Sequence, residues 1–235
     1  MNRFEEIGIG PEILKAITEL GFETPTPIQD KTIPHLLTSD LDLVALAQTG
    51  TGKTAAFSLP ILQQLDQGSR NVQALILCPT RELCLQIAKD IESFSKHLNV
   101  KTVAVYGGAS IENQIKGIKA GAQIIVGTPG RSLDLVKRKK LHLETIKWLV
   151  LDEADEMLSM GFKDDLDAIL STASEERQTL LFSATMPKEI ARIAKTYMKS
   201  PVEISAGQKN QGAENVNHVY SVSYTHLTLP TSYPV

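Results

Sequence analysis

The 235-residue sequence is 42% hydrophobic and 22% charged, near the average for a soluble globular protein and enough for one large core. Its formal net charge of -3 excludes a globally cationic nucleic-acid binder, so any grip on phosphate must come from placed groups. Cys78 and Cys84 match neither a disulfide framework nor a zinc pattern; with no apolar run long enough for a membrane span and no secretory h-region in residues 1–10, a cytoplasmic protein with two reduced core cysteines is the simplest expectation.

Two helical segments come first, Pro11–Leu20 and Ile28–Leu37, joined by the turn Gly21-Phe22-Glu23-Thr24-Pro25-Thr26-Pro27. Six short apolar runs follow: Leu43–Ala47, Val72–Cys78, Val100–Tyr106, Gln123–Gly127, Trp148–Leu151 and Thr179–Phe182. Several are continuous Val/Ile/Leu stretches, the pattern of strands covered on both faces. Helical patterns lie between them. Arg81–Lys96 repeats Leu85, Ala88, Ile91 and Phe94, and Pro187–Met198 opens on proline and repeats Ile190, Ala191, Ala194 and Met198. The alternation predicts an α/β fold with a doubly wound, mostly parallel sheet and helices on both faces, spanning residues 1–205. Ala206–Asn215 reads as a linker, while Ser221–Val235 contains no Asp, Glu, Lys or Arg and fits neither strand nor helix.

The segment Ala47-Gln48-Thr49-Gly50-Thr51-Gly52-Lys53-Thr54 follows an expected strand and opens an expected helix. It is a P-loop pattern with alanine in place of the first glycine. Glycines let the backbone turn its N–H groups onto phosphate oxygens, and the helix N-terminus adds partial positive charge. Lys53 is placed to reach the terminal phosphates, and the Thr54 hydroxyl to coordinate Mg²⁺. A P-loop needs a further acid. Leu149-Val150-Leu151-Asp152-Glu153-Ala154-Asp155 supplies Asp152 as the metal carboxylate and Glu153 to orient and deprotonate an attacking water.

Each unusual segment follows an apolar run: the P-loop, Pro79–Leu83, Gly107-Gly108, Thr128–Arg131, Asp152–Asp155 and Ser183–Thr185. Ligands of open α/β sheets bind beyond the carboxyl ends of the strands, so one edge should carry all six. The chain lacks the Asn-Lys-x-Asp guanine signature, which favours ATP over GTP. Gln29 is a candidate adenine reader, since a side-chain amide can donate to N7 and accept from the N6 amine. By itself, though, it reads as a helix-surface residue. In isolation Thr80-Arg81 and Gly130-Arg131 read as helix caps with surface ion pairs, Lys137–Lys140 as a solvated helix end, and Trp148 as strand packing.

Together these motifs resemble the DEAD-box RNA helicase family, in a bacterial style. Gly21-Phe22-x-x-Pro25-Thr26-Pro27-Ile28-Gln29 resembles the Q motif, with Phe4 as the upstream aromatic. Ala47–Thr54 resembles motif I, Pro79–Leu83 motif Ia, Gly107-Gly108 the GG doublet, Thr128–Arg131 motif Ib, Asp152–Asp155 motif II and Ser183–Thr185 motif III. The resemblance implies a RecA-like domain that binds ATP and Mg²⁺. Phe4, Phe22, Pro27 and Gln29 would hold adenine, and Thr49, Gly50, Thr51, Gly52, Lys53 and Thr54 the phosphates. Thr54 and Asp152 would hold the metal, and Lys53, Asp152 and Glu153 would form the catalytic set. Pro79, Thr80, Arg81, Gly108, Thr128, Gly130 and Arg131 would touch an RNA backbone without reading sequence. Asp155, Ser183 and Thr185 would couple the two ligands. The family carries a second RecA-like domain whose arginines complete the ATP site. Here the last arginine is Arg192, and Asn217-His218-Val219-Tyr220 resembles the start of that second domain before the likeness stops at Ser221. The expectation is a fragment nearly inactive by itself, with a tail foreign to the fold. The alternative is a non-catalytic module that binds nucleotide, RNA or a partner protein.

Overall fold

The computed structural model describes residues 3–205 and joins the six expected strands, with a seventh, into one sheet. The strands are β1 Leu43–Leu46, β2 Ala74–Leu77, β3 Thr102–Val105, β4 Ile124–Gly127, β5 Trp148–Leu151, β6 Gln178–Ser183 and β7 Val202–Ser205. Their order is β3-β4-β2-β5-β6-β1-β7, and every neighbouring pair is parallel. The sheet is thus wholly rather than mostly parallel among the described residues. The expectations for residues 206–220 and 221–235 lie outside them.

Parallel neighbours need long crossovers, and each of the six connections between successive strands contains helix. These are Lys53–Gln64, Arg81–Phe94, Ile111–Lys119, Pro129–Lys137, the pair Ala154–Ser159 and Lys163–Thr172, and Lys188–Tyr197. Three helices, Arg3–Glu6, Pro11–Glu19 and Pro27–Thr38, precede β1. Within each strand successive side chains enter opposite layers. Leu43, Ala45, Ile76, Val150 and Phe182 join one core, with Ile13, Ile33, Leu59 and Ile87 from the helices. Val44, Leu75, Leu77, Leu149, Leu151 and Leu181 join the other, with Leu135, Met157, Ile169 and Ile193. Burying such side chains contributes about 1.5–3 kcal/mol each. That is why the central strands read as unbroken apolar runs.

At the amino-terminal edge of the sheet a buried carboxylate ties three segments together. Asp42 accepts the Thr179 N–H on Oδ1 and the Lys199 N–H on Oδ2, each at 2.6 Å, and its carbonyl accepts the Val202 N–H at 2.8 Å. Burial raises its pKa against the pull of those two hydrogen bonds. The strand order has one consequence for function. The carboxyl ends of β5, β6 and β1 lie side by side, as do those of β3, β4 and β2.

Candidate functional site

The loop between β1 and helix Lys53–Gln64 lies in the first of these groups. Gly50 (φ +81°) and Gly52 (φ +89°) occupy the left-handed region, where any side chain is strained. Ala47, the departure from the glycine pattern, is not among the positive-φ residues, and its N–H donates to the Ser183 carbonyl at 3.0 Å, extending the β1–β6 ladder. At Gly52 a Cβ would also come within 2.3 Å of the Gln29 amide nitrogen.

Gln29 is only 4% exposed, so it is no helix-surface residue. Its Oε1 accepts the Thr26 N–H at 2.9 Å and its Nε2 donates to the Gly52 carbonyl at 3.0 Å. The Thr26 hydroxyl donates to the Thr51 carbonyl at 2.8 Å. The turn before helix Pro27–Thr38 therefore grips the phosphate loop at two adjacent carbonyls. Thr26 was not singled out from sequence, although a threonine three residues before a glutamine at a helix start is capping-box spacing. One Nε2 hydrogen and one Oε1 lone pair of Gln29 remain for a further partner. Phe22 is half-buried beside this turn and Pro27 exposed. Phe4, expected to stack on a base, is 1% exposed, and its ring stacks on Phe22 at 6.2 Å between centroids. The ring belongs to the core cluster of this layer, where burying so large an apolar surface is favourable.

Lys53, the first residue of the helix, is 5% exposed. Its Nζ lies 3.9 Å from Asp152 Oδ1 and 3.9 Å from Glu153 Oε1, and has no hydrogen-bond partner among the described residues. No side chain caps the helix. A buried ammonium whose donors meet no acceptor is expensive, which is the mark of a site shaped for an anion. Asp152 follows β5 and is 3% exposed. Burial pushes its pKa up to about 6, the neighbouring Lys53 opposing and Glu153 adding to the rise. Glu153 sits at φ +53°, ψ +50°, a left-handed conformation costing roughly 1–2 kcal/mol for a residue with a side chain. Such strain clusters at functional sites. Its Oε1 also accepts the Thr49 hydroxyl at 3.1 Å.

The described residues contain no group of three His, Cys, Asp or Glu able to hold a metal ion unaided. Asp152 and half-buried Thr54 are a sparse oxygen set, which suits Mg²⁺: that ion keeps several waters and binds through one or two protein oxygens plus phosphates.

The helix that Glu153 starts carries Asp155, whose Oδ2 accepts the Thr185 N–H at 3.0 Å and the Thr185 hydroxyl at 2.7 Å. Burial would raise Asp155, but hydrogen bonding, chiefly from Thr185, outweighs it and lowers the pKa. The Ser183 hydroxyl, at the end of β6, is buried and has no partner in hydrogen-bonding geometry among the described residues. The end of β5 is thereby tied to the loop after β6.

The second group of strand ends is built differently. Thr80 caps helix Arg81–Phe94, its hydroxyl accepting the Leu83 N–H at 3.2 Å. Arg81 is exposed, with its guanidinium 5.0 Å above the Tyr106 ring. Gly107 and Gly108 are exposed, and Gly108 holds φ +77°. Thr128 leads into helix Pro129–Lys137 without a side-chain cap, and Gly130 is exposed. Arg131 donates from Nη1 to the Ala109 carbonyl at 3.2 Å and to Gln114 Oε1 at 2.9 Å. Pro79, two residues past the end of β2 in the middle of the sheet, is buried. Lys137–Lys140 is the solvated helix end expected, Trp148 packs at 6% exposure, and Cys78 and Cys84 are buried and unpaired.

The family model described as DEAD/DEAH box helicase matches residues 26–193. The chain is 52% identical over 213 residues to the ATP-dependent RNA helicase CshA of Listeria monocytogenes serovar 1/2a, a match covering 91% of this chain and 41% of that protein. It is 46% identical over 224 residues to the ATP-dependent RNA helicase DeaD of Haemophilus influenzae, covering 95% of this chain and 36% of the relative. Among solved structures, a DEAD box protein from Methanococcus jannaschii superposes with a TM-score of 0.84 at 46% identity, covering 87% of this chain and 56% of that one. A hypothetical ATP-dependent RNA helicase from Sulfolobus tokodaii gives 0.77 at 40%, covering 83% and 56%. The chain thus spans well under two thirds of these proteins.

Proposed function

This chain belongs to the DEAD/DEAH box helicase family, and we propose that it is the ATP- and RNA-binding first domain of an ATP-dependent RNA helicase. The observation that carries the proposal is the buried Lys53 ammonium, unmet by any acceptor in hydrogen-bonding geometry among the described residues and facing Asp152 and Glu153 from the end of a glycine-turned loop.

On this reading Gln29 uses its remaining donor and acceptor on the adenine edge, a pattern guanine would not match. The backbone of Thr49–Gly52 cradles the phosphates, and Lys53 neutralises their charge. Thr54 and Asp152 hold Mg²⁺ together with phosphate oxygens and water. When bound, the ion supplies charge neutralisation at the transferred phosphoryl group. Glu153 orients the attacking water and takes its proton. Arg81, Gly108, Thr128, Gly130 and Arg131 face the RNA sugar–phosphate backbone, which carries no sequence information. Asp155 and Thr185 connect the two binding regions. In the whole protein a second RecA-like domain closes over the phosphates and contributes arginines, an effect of roughly 10³–10⁵ in related phosphoryl-transfer enzymes. No helix among the described residues is long and apolar enough to cross a membrane, and the same proposal places the protein in the cytoplasm with its RNA.

Isothermal calorimetry of the chain with Mg²⁺-ATP and Mg²⁺-GTP tests the core of this. Magnesium-dependent binding selective for ATP is expected. No heat with ATP at millimolar concentration, or equal binding of GTP, sinks it. Adding a separately produced second domain should restore RNA-stimulated hydrolysis, and Glu153→Gln should remove it while leaving nucleotide binding in place.

A further inference from the structure

Two arginines stand on the β3-β4-β2 side of the edge, on different helices, and both are referred to one buried side chain. Gln114, on helix Ile111–Lys119, is 7% exposed. Its Oε1 accepts from Arg131 Nη1 at 2.9 Å. Its Nε2 donates to the Tyr106 carbonyl at 3.1 Å, and the ring of that same Tyr106 lies under the Arg81 guanidinium. Arg131 Nη1 also reaches the Ala109 carbonyl, so both of its hydrogens are committed. The opposite edge of the guanidinium, Nε with Nη2, has no hydrogen-bond partner among the described residues. That edge is a fork matched to two oxygens of one phosphate.

We propose that Gln114 is a positioning residue for RNA binding: a two-ended strut that fixes the free fork of Arg131 and, through Tyr106, the guanidinium of Arg81 for neighbouring backbone phosphates. The inference rests on the RNA-binding reading above. A glutamine suits the task because one end accepts and the other donates, and burial leaves both ends dependent on these partners. Leucine would fill the space with neither group. Glutamate would keep the acceptor for Arg131 and lose the donor to Tyr106. An arginine held in place loses less side-chain freedom when it meets phosphate, so the strut acts on affinity without touching RNA.

The test uses the full chain and a single-stranded oligouridylate, with binding followed in ¹H–¹⁵N spectra and ATP binding and thermal unfolding measured in parallel. Gln114→Leu should weaken RNA binding by about tenfold and leave ATP affinity unchanged. Gln114→Glu should fall between it and the wild type. In an Arg81→Ala/Arg131→Ala background, Gln114→Leu should weaken binding no further. The proposal fails if Gln114→Leu binds RNA like the wild type, or weakens it equally in the background lacking both arginines. Should the leucine variant unfold, the same comparisons on Gln114→Glu decide. A wild-type chain that ignores the RNA while still binding Mg²⁺-ATP would overturn the RNA reading and the strut with it. If Gln114→Leu alone fails to weaken binding, only the strut is lost.

Discussion

On the proposed function, the two halves of the sheet's carboxyl edge meet the same demand, holding phosphate, by opposite means. Beyond β5, β6 and β1 the charges are buried: Lys53 is 5% exposed and Asp152 3%, and the loop around them is fixed by two left-handed glycines and the Gln29–Thr26 clamp. Beyond β3, β4 and β2 the groups are glycines and helix starts near the surface, with Arg81 in solvent. Buried charge gives strong, geometrically strict binding at the expense of stability, because desolvation weighs on the fold whether or not a partner is present. Exposed groups cost little and each contributes little, which suits a long polymer held at many points. The first half should therefore break sharply under single substitutions and the second by degrees.

The largest expected effect is Lys53→Ala. Removing a buried cation that meets phosphate should weaken Mg²⁺-ATP binding by about 100-fold or more, equivalent to roughly 3 kcal/mol. RNA binding by the same variant should hold, and calorimetry with each ligand separates the two. Gly52→Ala comes next. It forces a side chain into φ +89° and drives a Cβ into the Gln29 amide, so about 2 kcal/mol of stability should go. In a domain this size that is a fall of roughly 4–8 °C in melting temperature. An unchanged Tm would mean that the clamp is not fixed to the loop.

Proton competition at Asp152 gives a third, smaller effect. With its pKa pushed up to about 6, the carboxylate is mostly ionised at pH 7 and mostly protonated at pH 5. Magnesium-dependent ATP affinity should therefore drop by about tenfold across that interval. For the bare fold the sign is reversed. A carboxyl raised above its unfolded value of about 3.9 contributes stability that is full below that pH and is lost as pH rises through about 6. Asp152→Asn should then remove metal-dependent binding while matching or exceeding wild-type thermal stability at pH 7. A clear loss of stability there would show that Asp152 holds the fold rather than strains it.

What could be read from sequence follows the same division. Strands β1, β2, β4, β5 and β6 were found within a few residues because burial leaves a nearly unbroken apolar signature, and the half-buried edge strand β3 was found because its run still alternates Val100, Val103, Ala104 and Val105 with few polar residues. Strand β7, Val202–Ser205, was missed because it is half-buried at the edge, offers only Val202 and Ile204 as apolar residues, and pairs with β1 from the far end of the described chain. The glycine turn between β1 and helix Lys53–Gln64 was legible because its backbone demands are local. The left-handed backbone of Glu153 was not, since only tertiary packing makes a side-chain-bearing residue accept it. Gln29 looked like a surface residue taken alone, because its partner Gly52 is 23 residues away. The burial of Phe4 and Pro79 is not announced by any local pattern either, because it depends on what the tertiary fold packs against them. Gln114 carried no signal, since a buried glutamine is defined by what surrounds it.

The gentlest break belongs to Arg81. Its guanidinium stacks on Tyr106 at the rim, where a cation–π contact is worth about 0.5–1 kcal/mol. Arg81→Ala should weaken RNA binding by only a few-fold and lower the slope of log affinity against log salt by about one, the loss of a single phosphate contact. Arg81→Lys separates the two contributions. Lysine keeps the charge and should restore the slope, but it lacks the planar surface that rests on the ring and should leave part of the affinity unrecovered. If lysine restores both, the ring is a neighbour rather than a platform. If neither variant changes the salt slope while Arg131→Ala does, the backbone is held from the Arg131 side alone, and the division between a strict half and a distributed half gives way to two strict sites.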